Sequence, residues 1–401
     1  MKFEELNINK KLLNKISEKE FKEMTLIQEK CLPIILKEKD VVGQAETGSG
    51  KTLAYCLPIL DRVIPGKGIQ ALVLTPTREL CIQVTDVFVD FGKELKIKIT
   101  SVYGGVSIEP QIKNIRNSDI IIGTPGRIID HICRKTIDFN NIRFLVLDET
   151  DKMFDMGFLD DVEYIIKKVP KKRQTLMFSA TISEAINKLL YRHLSNPIIV
   201  KTQQFVDKNK LKQVYYDINP SNKKFSLLVH LLKNETSGLA IVFCATRNES
   251  DIIARNLKHQ GIQASAIHGG MSQNKRIQSL NALKNGSTDV LVATDVAARG
   301  LDIKNVTHIY NYDVPKTSIE YVHRIGRTAR AGKNGAAITS LTERDHDNFR
   351  RVQSNDDLNI EKADFPDFIS VPFLFRYEKK RFFKENNRYN FKRNNNYNFK
   401  N

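Results

Sequence analysis

From about Asp40 onward, short runs of apolar, β-favouring residues alternate with amphipathic stretches, and this rhythm leaves few architectures open to the chain. Ala71-Leu-Val-Leu74, Asp119-Ile-Ile-Ile122, Phe144-Leu-Val-Leu147 and Thr175-Leu-Met-Phe178 are such runs. A strand that is apolar on both faces must be covered on both faces, the condition of a parallel sheet flanked by helices. The alternation restarts after residue 212 with Leu239-Ala-Ile-Val-Phe243, Ala264-Ser-Ala-Ile267, Val290-Leu-Val292 and His308-Ile-Tyr310. The polar stretch Thr202 to Lys210 between the two series reads as a linker. The expected fold is therefore α/β, with two tandem, doubly wound parallel-sheet domains on a flexible hinge. At 401 residues and 41% hydrophobic, the chain can fill two such cores.

Directly after Val41-Val42 comes Ala45-Glu-Thr-Gly-Ser-Gly-Lys-Thr52. A glycine-rich turn between a strand and a helix lets successive backbone N–H groups curl around phosphate oxygens, and the helix N-terminus adds its positive end. Thr47, Gly48, Ser49 and Gly50 would form that cradle, Lys51 would reach the β and γ phosphates, and the Thr52 hydroxyl would be a Mg²⁺ ligand. Ala45 stands where the strict pattern has Gly, so the match is to the relaxed form.

About a hundred positions later, Phe144-Leu-Val-Leu147 ends in Asp148-Glu149. At the C-terminal edge of a parallel sheet, Asp148 can hold Mg²⁺ through water, and Glu149 can orient or deprotonate an attacking water. The second half contributes His323-Arg-Ile-Gly-Arg-Thr-Ala-Arg330, with Arg324, Arg327 and Arg330 spaced by three. Alone, that spacing suits a solvated helix face equally well. Phosphoryl transfer needs cations against the charge spread over the γ-phosphoryl oxygens, which makes Arg327 and Arg330 arginine-finger candidates, with His323 in the same catalytic run. Because these residues belong to the other domain, hydrolysis would require domain closure.

Lys and Arg number 63 against 46 Asp and Glu, a net charge of +17, which favours a polyanionic partner or, more simply, solubility. Cys31, Cys56, Cys81, Cys133 and Cys244 are widely spaced, with no CxxC pair, and fit reduced thiols in the cytoplasm. No apolar run approaches the ~18 residues of a membrane span. From Arg376 to Asn401, nine Lys or Arg stand against two Glu, interleaved with Asn, Phe and Tyr. Such a tail is expected to be disordered and could tether RNA by stacking and phosphate attraction.

In order, Thr25 to Gln28, Ala45 to Thr52, Pro76 to Leu80, Gly104-Gly105, Thr124 to Arg127, Asp148 to Asp151, Ser179 to Thr181, Gln273 to Arg276, Ala293 to Asp302 and His323 to Arg330 resemble the motif series of the DEAD-box RNA helicases, over roughly residues 1–355. The resemblance implies two RecA-like domains and RNA-stimulated ATP hydrolysis coupled to closure, local duplex unwinding and ribonucleoprotein remodelling. It further implies that Gln28 reads the adenine edge with Phe21 stacked on the base, and that Asp302 meets the ribose or phosphate side. Ser179 and Thr181 would couple the nucleotide to the RNA groove. Arg78, Gly105, Thr124, Gly126, Arg127, Arg276 and Thr294 would line that groove, holding phosphates and 2′-hydroxyls rather than base edges.

The chain departs from the family pattern at several points. Glu20 replaces the usual Gly before the aromatic residue, Met24 and Leu26 replace two prolines, Thr150 gives Asp-Glu-Thr-Asp, and Ala329 replaces a Gly. The expected layout is a first domain over 1–205, a second over 206–355, and a largely disordered extension with its tail over 356–401. Two other readings stay open: an ATP-gated RNA clamp with little unwinding, and a DNA or mixed-substrate helicase.

Overall fold

A computed structural model of the chain describes residues 2–46, 48–202, 210–298, 303, 305–329 and 334–374. Its strands are β1 (Val41–Gln44), β2 (Ala71–Leu74), β3 (Ile99–Val102), β4 (Ile120–Gly123), β5 (Phe144–Leu147), β6 (Gln174–Ser179), β7 (Ile198–Lys201), β8 (Leu211–Asp217), β9 (Leu239–Phe243), β10 (Ala264–Ile267), β11 (Val290–Ala293), β12 (Val306–Asn311), β13 (Gly335–Leu341) and β14 (Glu361–Lys362). They pair in parallel into two seven-stranded sheets, β3-β4-β2-β5-β6-β1-β7 and β10-β11-β9-β12-β13-β8-β14. The apolar runs lie where the sequence puts them, and the expected pair of doubly wound sheets is what forms.

Alternation along each strand divides its side chains between two cores. Ala71 and Val73 of β2 pack with Ile27, Tyr55 and Phe88 on one face, while Leu72 and Leu74 pack with Ile128, Met153 and Ile165 on the other. Each fully buried large side chain contributes about 1.5–3 kcal/mol. This two-sided burial is why β2, β4 and β5 carry no polar side chain.

The second sheet repeats the strand order of the first, so β8 is the counterpart of β1, β9 of β2 and β12 of β5. The correspondence extends to single residues. Asp148 N donates to Leu74 O at the end of β2, and Asp313 N donates to Phe243 O at the end of β9. The helices that follow β1 and β8 both open on a lysine, Lys51 and Lys224.

Past residue 355 the chain stays on the second body through residue 374. Strand β14 pairs with β8. Phe365 and Phe373 meet Tyr216 and Phe225 at ring-centroid distances of 5.7 and 5.0 Å. Val371 N donates to Ser226 Oγ at 3.0 Å and Leu374 N to Asn256 Oδ1 at 2.8 Å. The expected extension thus begins with ordered chain, because its apolar residues fill gaps over the second core at irregular spacing and carry no period to read. The linker residues 203–209 and the tail from 375 lie outside the described residues. No helix among the described residues is long and apolar enough to cross a membrane.

Candidate functional site

At the C-terminal edge of the first sheet, a cavity of about 630 Å³ brings Phe21, Gln28, Gly48, Gly50, Lys51, Thr52, Asp148 and Glu149 together. Gly48 and Gly50 have φ of 83° and 91°, the left-handed backbone that lets the loop turn into the helix Lys51–Arg62. A Cβ on Gly50 would lie 2.5 Å from Gln28 Nε2. Gln28 closes over this loop: its Nε2 donates to Gly50 O at 3.0 Å, and its Oε1 accepts from Thr25 N at 2.9 Å. A carboxamide has two donors and two lone pairs, so one donor and one acceptor are left for a base edge. Phe21, 46% exposed, lies at the rim and follows Glu20, which is held at φ 56° where a glycine would be relaxed.

Lys51 is buried, and its Nζ donates to Ala45 O at 2.7 Å, folded back across the cradle. Asp148 accepts from Tyr55 Oη at 2.7 Å and from Glu149 N at 2.9 Å. Burial raises the Asp148 carboxyl above its ordinary value, with Lys51 pulling the other way. Tyr55 was not singled out from sequence, although it sits one helical turn after Lys51 and faces the same way. Thr52 and Asp148 offer only hard oxygen donors beside the phosphate cradle, which suits Mg²⁺ with its preference for water and phosphate oxygens.

Glu149 is buried in the left-handed region at φ 48°, and its Oε1 lies 2.6 Å from Lys152 Nζ. Burial would raise this carboxyl, but Lys152, Lys51 and Arg327 together outweigh it and hold it at about 2. Lys152 is brought down to about 8 by burial and by Arg327, against the pull of Glu149. Arg324 turns elsewhere: it holds Asp295 with two bonds of 2.6 and 2.7 Å and donates to Asp313 O. With Arg327 and His323 it lines a small pocket beside Phe243. Thr47, Asp302 and Arg330 lie outside the described residues.

Asp151 ties the acidic motif to β6. Its Oδ2 accepts from Ala180 N and Thr181 N at 3.1 and 3.0 Å and from Thr181 Oγ1 at 3.3 Å, while its N donates to Ser179 Oγ. Thr150 is fully buried, and its hydroxyl finds the carbonyls of Leu147 and Phe178, so the extra polar group is satisfied.

A second cavity, about 470 Å³, runs between the domains and is lined by Arg78, Gly104, Thr124, Gly126 and Arg127 on one side and Gly269, Met271, Arg276 and Val296 on the other. Gly105 serves Arg78: at φ 82°, a Cβ there would lie 2.0 Å from Arg78 Nη1. Thr294 is buried at the end of β11, and Val296 stands at the groove in its place. Arg276 does not stand alone: Glu79, within the Pro76 to Leu80 motif but given no role there, takes Arg276 Nη2 at 3.1 Å and Gln273 Nε2 at 3.1 Å.

Comparison with known proteins adds to this geometry. Residues 25–189 match the family "DEAD/DEAH box helicase" and residues 223–332 match "Helicase conserved C-terminal domain". The chain is similar to the Bacillus subtilis DEAD-box ATP-dependent RNA helicase CshA, 43% identical over 91% of this chain and 74% of that one. Among solved structures it is similar to Saccharomyces cerevisiae Dbp5 bound to RNA and ADP BeF3, with 32% identity, 90% of this chain and 95% of that one covered, and a TM-score of 0.82. A DEAD box protein from Methanococcus jannaschii is 39% identical over 91% of this chain and 99% of that one, with a TM-score of 0.55.

Proposed function

We propose a mechanism from the premise that this chain belongs to the DEAD-box helicase family and is an ATP-dependent RNA helicase, an RNA-dependent ATPase with RNA as its partner. ATP enters the first-domain cavity with its base between Phe21 and the remaining donor and acceptor of Gln28. The cradle of residues 47–50 takes the phosphates. Lys51 leaves the Ala45 carbonyl for the β and γ oxygens, and Asp302 meets the ribose or phosphate side. Mg²⁺ held by Thr52, and through water by Asp148, would neutralise charge shared by the β and γ phosphates.

RNA lies along Arg78, Thr124, Gly126 and Arg127, with Gly105 giving Arg78 its place and Arg276 contributing from the second domain beside Val296, while buried Thr294 stands back from the groove. Closure brings Arg327 and Arg330 toward the γ-phosphate, with His323 behind them. Glu149, held at one oxygen by Lys152, is placed to orient or deprotonate the attacking water. Ser179, Thr181 and Asp151 carry the state of the nucleotide site toward the groove. Bending of one bound strand separates a short duplex, and hydrolysis reopens the cleft.

The observation that supports this reading best is the cavity that brings Phe21, Gln28, Lys51, Thr52, Asp148 and Glu149 together at the sheet edge, with a second cavity between Arg78 and Arg276 beside it. The tail from Arg376 to Asn401 serves as an RNA tether, a role supported by its +7 charge and interleaved aromatics. Five free thiols, four of them buried, suit the cytoplasm. Glu149→Gln tests the mechanism: the variant should bind ATP and RNA and hydrolyse very slowly, remaining on RNA. Rapid turnover would contradict the role given to Glu149.

A further inference from the structure

Lys152 follows the acidic motif directly, and its cation is spent inside the molecule. Its side chain is 3% exposed and its Nζ lies 2.6 Å from Glu149 Oε1, one helical turn away. Burying an ion pair costs desolvation that well-packed apolar residues would avoid, so the pair gives no obvious gain in stability. What it does supply is geometry. Glu149 leaves β5 through a left-handed backbone, and Asp148 accepts its N–H. The carboxylate therefore depends on a side-chain partner for its direction.

We propose that Lys152 is a positioning residue of the hydrolytic centre, gripping one oxygen of Glu149 from within the first domain and so setting the plane in which the carboxylate meets the attacking water. This inference rests on the reading of Glu149 as the residue that orients water. A misdirected carboxylate lowers turnover without loosening the substrates, because neither the phosphate cradle nor the RNA groove includes Lys152.

The experiment is RNA-stimulated ATP hydrolysis by K152M, K152Q, K152R, E149Q and the K152M/E149Q double variant, with thermal melting recorded for each. K152M and K152Q should lose about 10–100-fold in kcat. Their KM values for ATP and RNA should stay within about twofold, the mark of an interaction used only in the transition state. K152R should regain most of the lost turnover, and the double variant should be no slower than E149Q. Wild-type kcat in K152M or K152Q, a loss seen in KM alone, or a K152R enzyme that folds yet is as slow as K152Q would overturn the inference. Fast turnover by E149Q would remove the reading of Glu149 beneath it, whereas a slow E149Q beside a fully active K152Q sinks the role of Lys152 alone.

Discussion

Glu79 of the first domain takes Arg276 of the second at 3.1 Å, and the same carboxylate accepts from Gln273. Glu79 is 4% exposed, so this pair is a buried latch across the cleft between the two domains. Glu79→Ala would leave the Arg276 cation in the closed interface without its carboxylate. Truncating one partner of a buried charge pair costs about 2–5 kcal/mol, here charged against the closed state, so RNA-stimulated kcat should fall by about tenfold or more. The melting temperature should hardly move, since each domain keeps its own core. Steady-state kinetics of Glu79→Ala would check this, and wild-type turnover would contradict it.

Lys51 and Lys224 occupy equivalent places in the two sheets but have opposite fates. Lys224 is buried, with Nζ 3.5 Å from both Asp313 and Asp345 and 4.7 Å from the Tyr312 ring centre. The loop before it, 218–223, has no glycine and contains Pro220, so it offers no phosphate cradle. One nucleotide should bind per chain. Lys224→Met should destabilise by about 3–5 kcal/mol, because it strips a buried cation from two carboxylates. Lys51→Ala should abolish hydrolysis without a comparable loss of stability. Calorimetric titration and thermal melting read the two outcomes.

Ala329 is buried at φ 54°, the left-handed region where a Cβ is strained. A Cβ on Gly335 would sit 2.7 Å from Ala329 N, so the backbone there has little room to relax. Ala329→Gly should stabilise by up to about 1 kcal/mol, visible as a higher melting temperature. An unchanged or lower value would mean that the strain is already offset.

Glu249 is half-buried beside Asp313, and burial together with the hydrogen bond between the two carboxyls pushes it up to about 8. An unfolded chain releases this proton near 4.5. Between those values the folded state binds more protons, so the residue lowers stability as pH rises, and below 4.5 it has no effect. Glu249→Gln should melt with the wild type at pH 4 and above it at pH 8. The reverse order would place the shift in the other direction.

The parts legible in the sequence are those fixed by neighbours in the chain. Leu72 to Leu74 and Leu145 to Leu147 announce buried strands because both faces are covered, and Gly48 to Lys51 announces a phosphate loop because its backbone makes the site. The replaced glycines at Glu20 and Ala329 even mark two strained residues in advance. Pairings at long range left no such trace. Glu79 and Arg276 meet across two domains, Tyr55 reaches Asp148 across 93 positions, and the residues from Phe365 to Phe373 pack at no regular spacing. Lys152 reads locally as a solvated helix residue, because only the packing above it shows that its cation is enclosed.

If RNA and ATP together close the two domains and so complete the hydrolytic centre around Glu149, turnover must depend on RNA. Steady-state ATP hydrolysis with no nucleic acid, with RNA, and with DNA of the same sequence tests it most directly. Little turnover alone, strong stimulation by RNA and little by DNA are expected. Turnover that is high without nucleic acid, or raised equally by DNA, would contradict it.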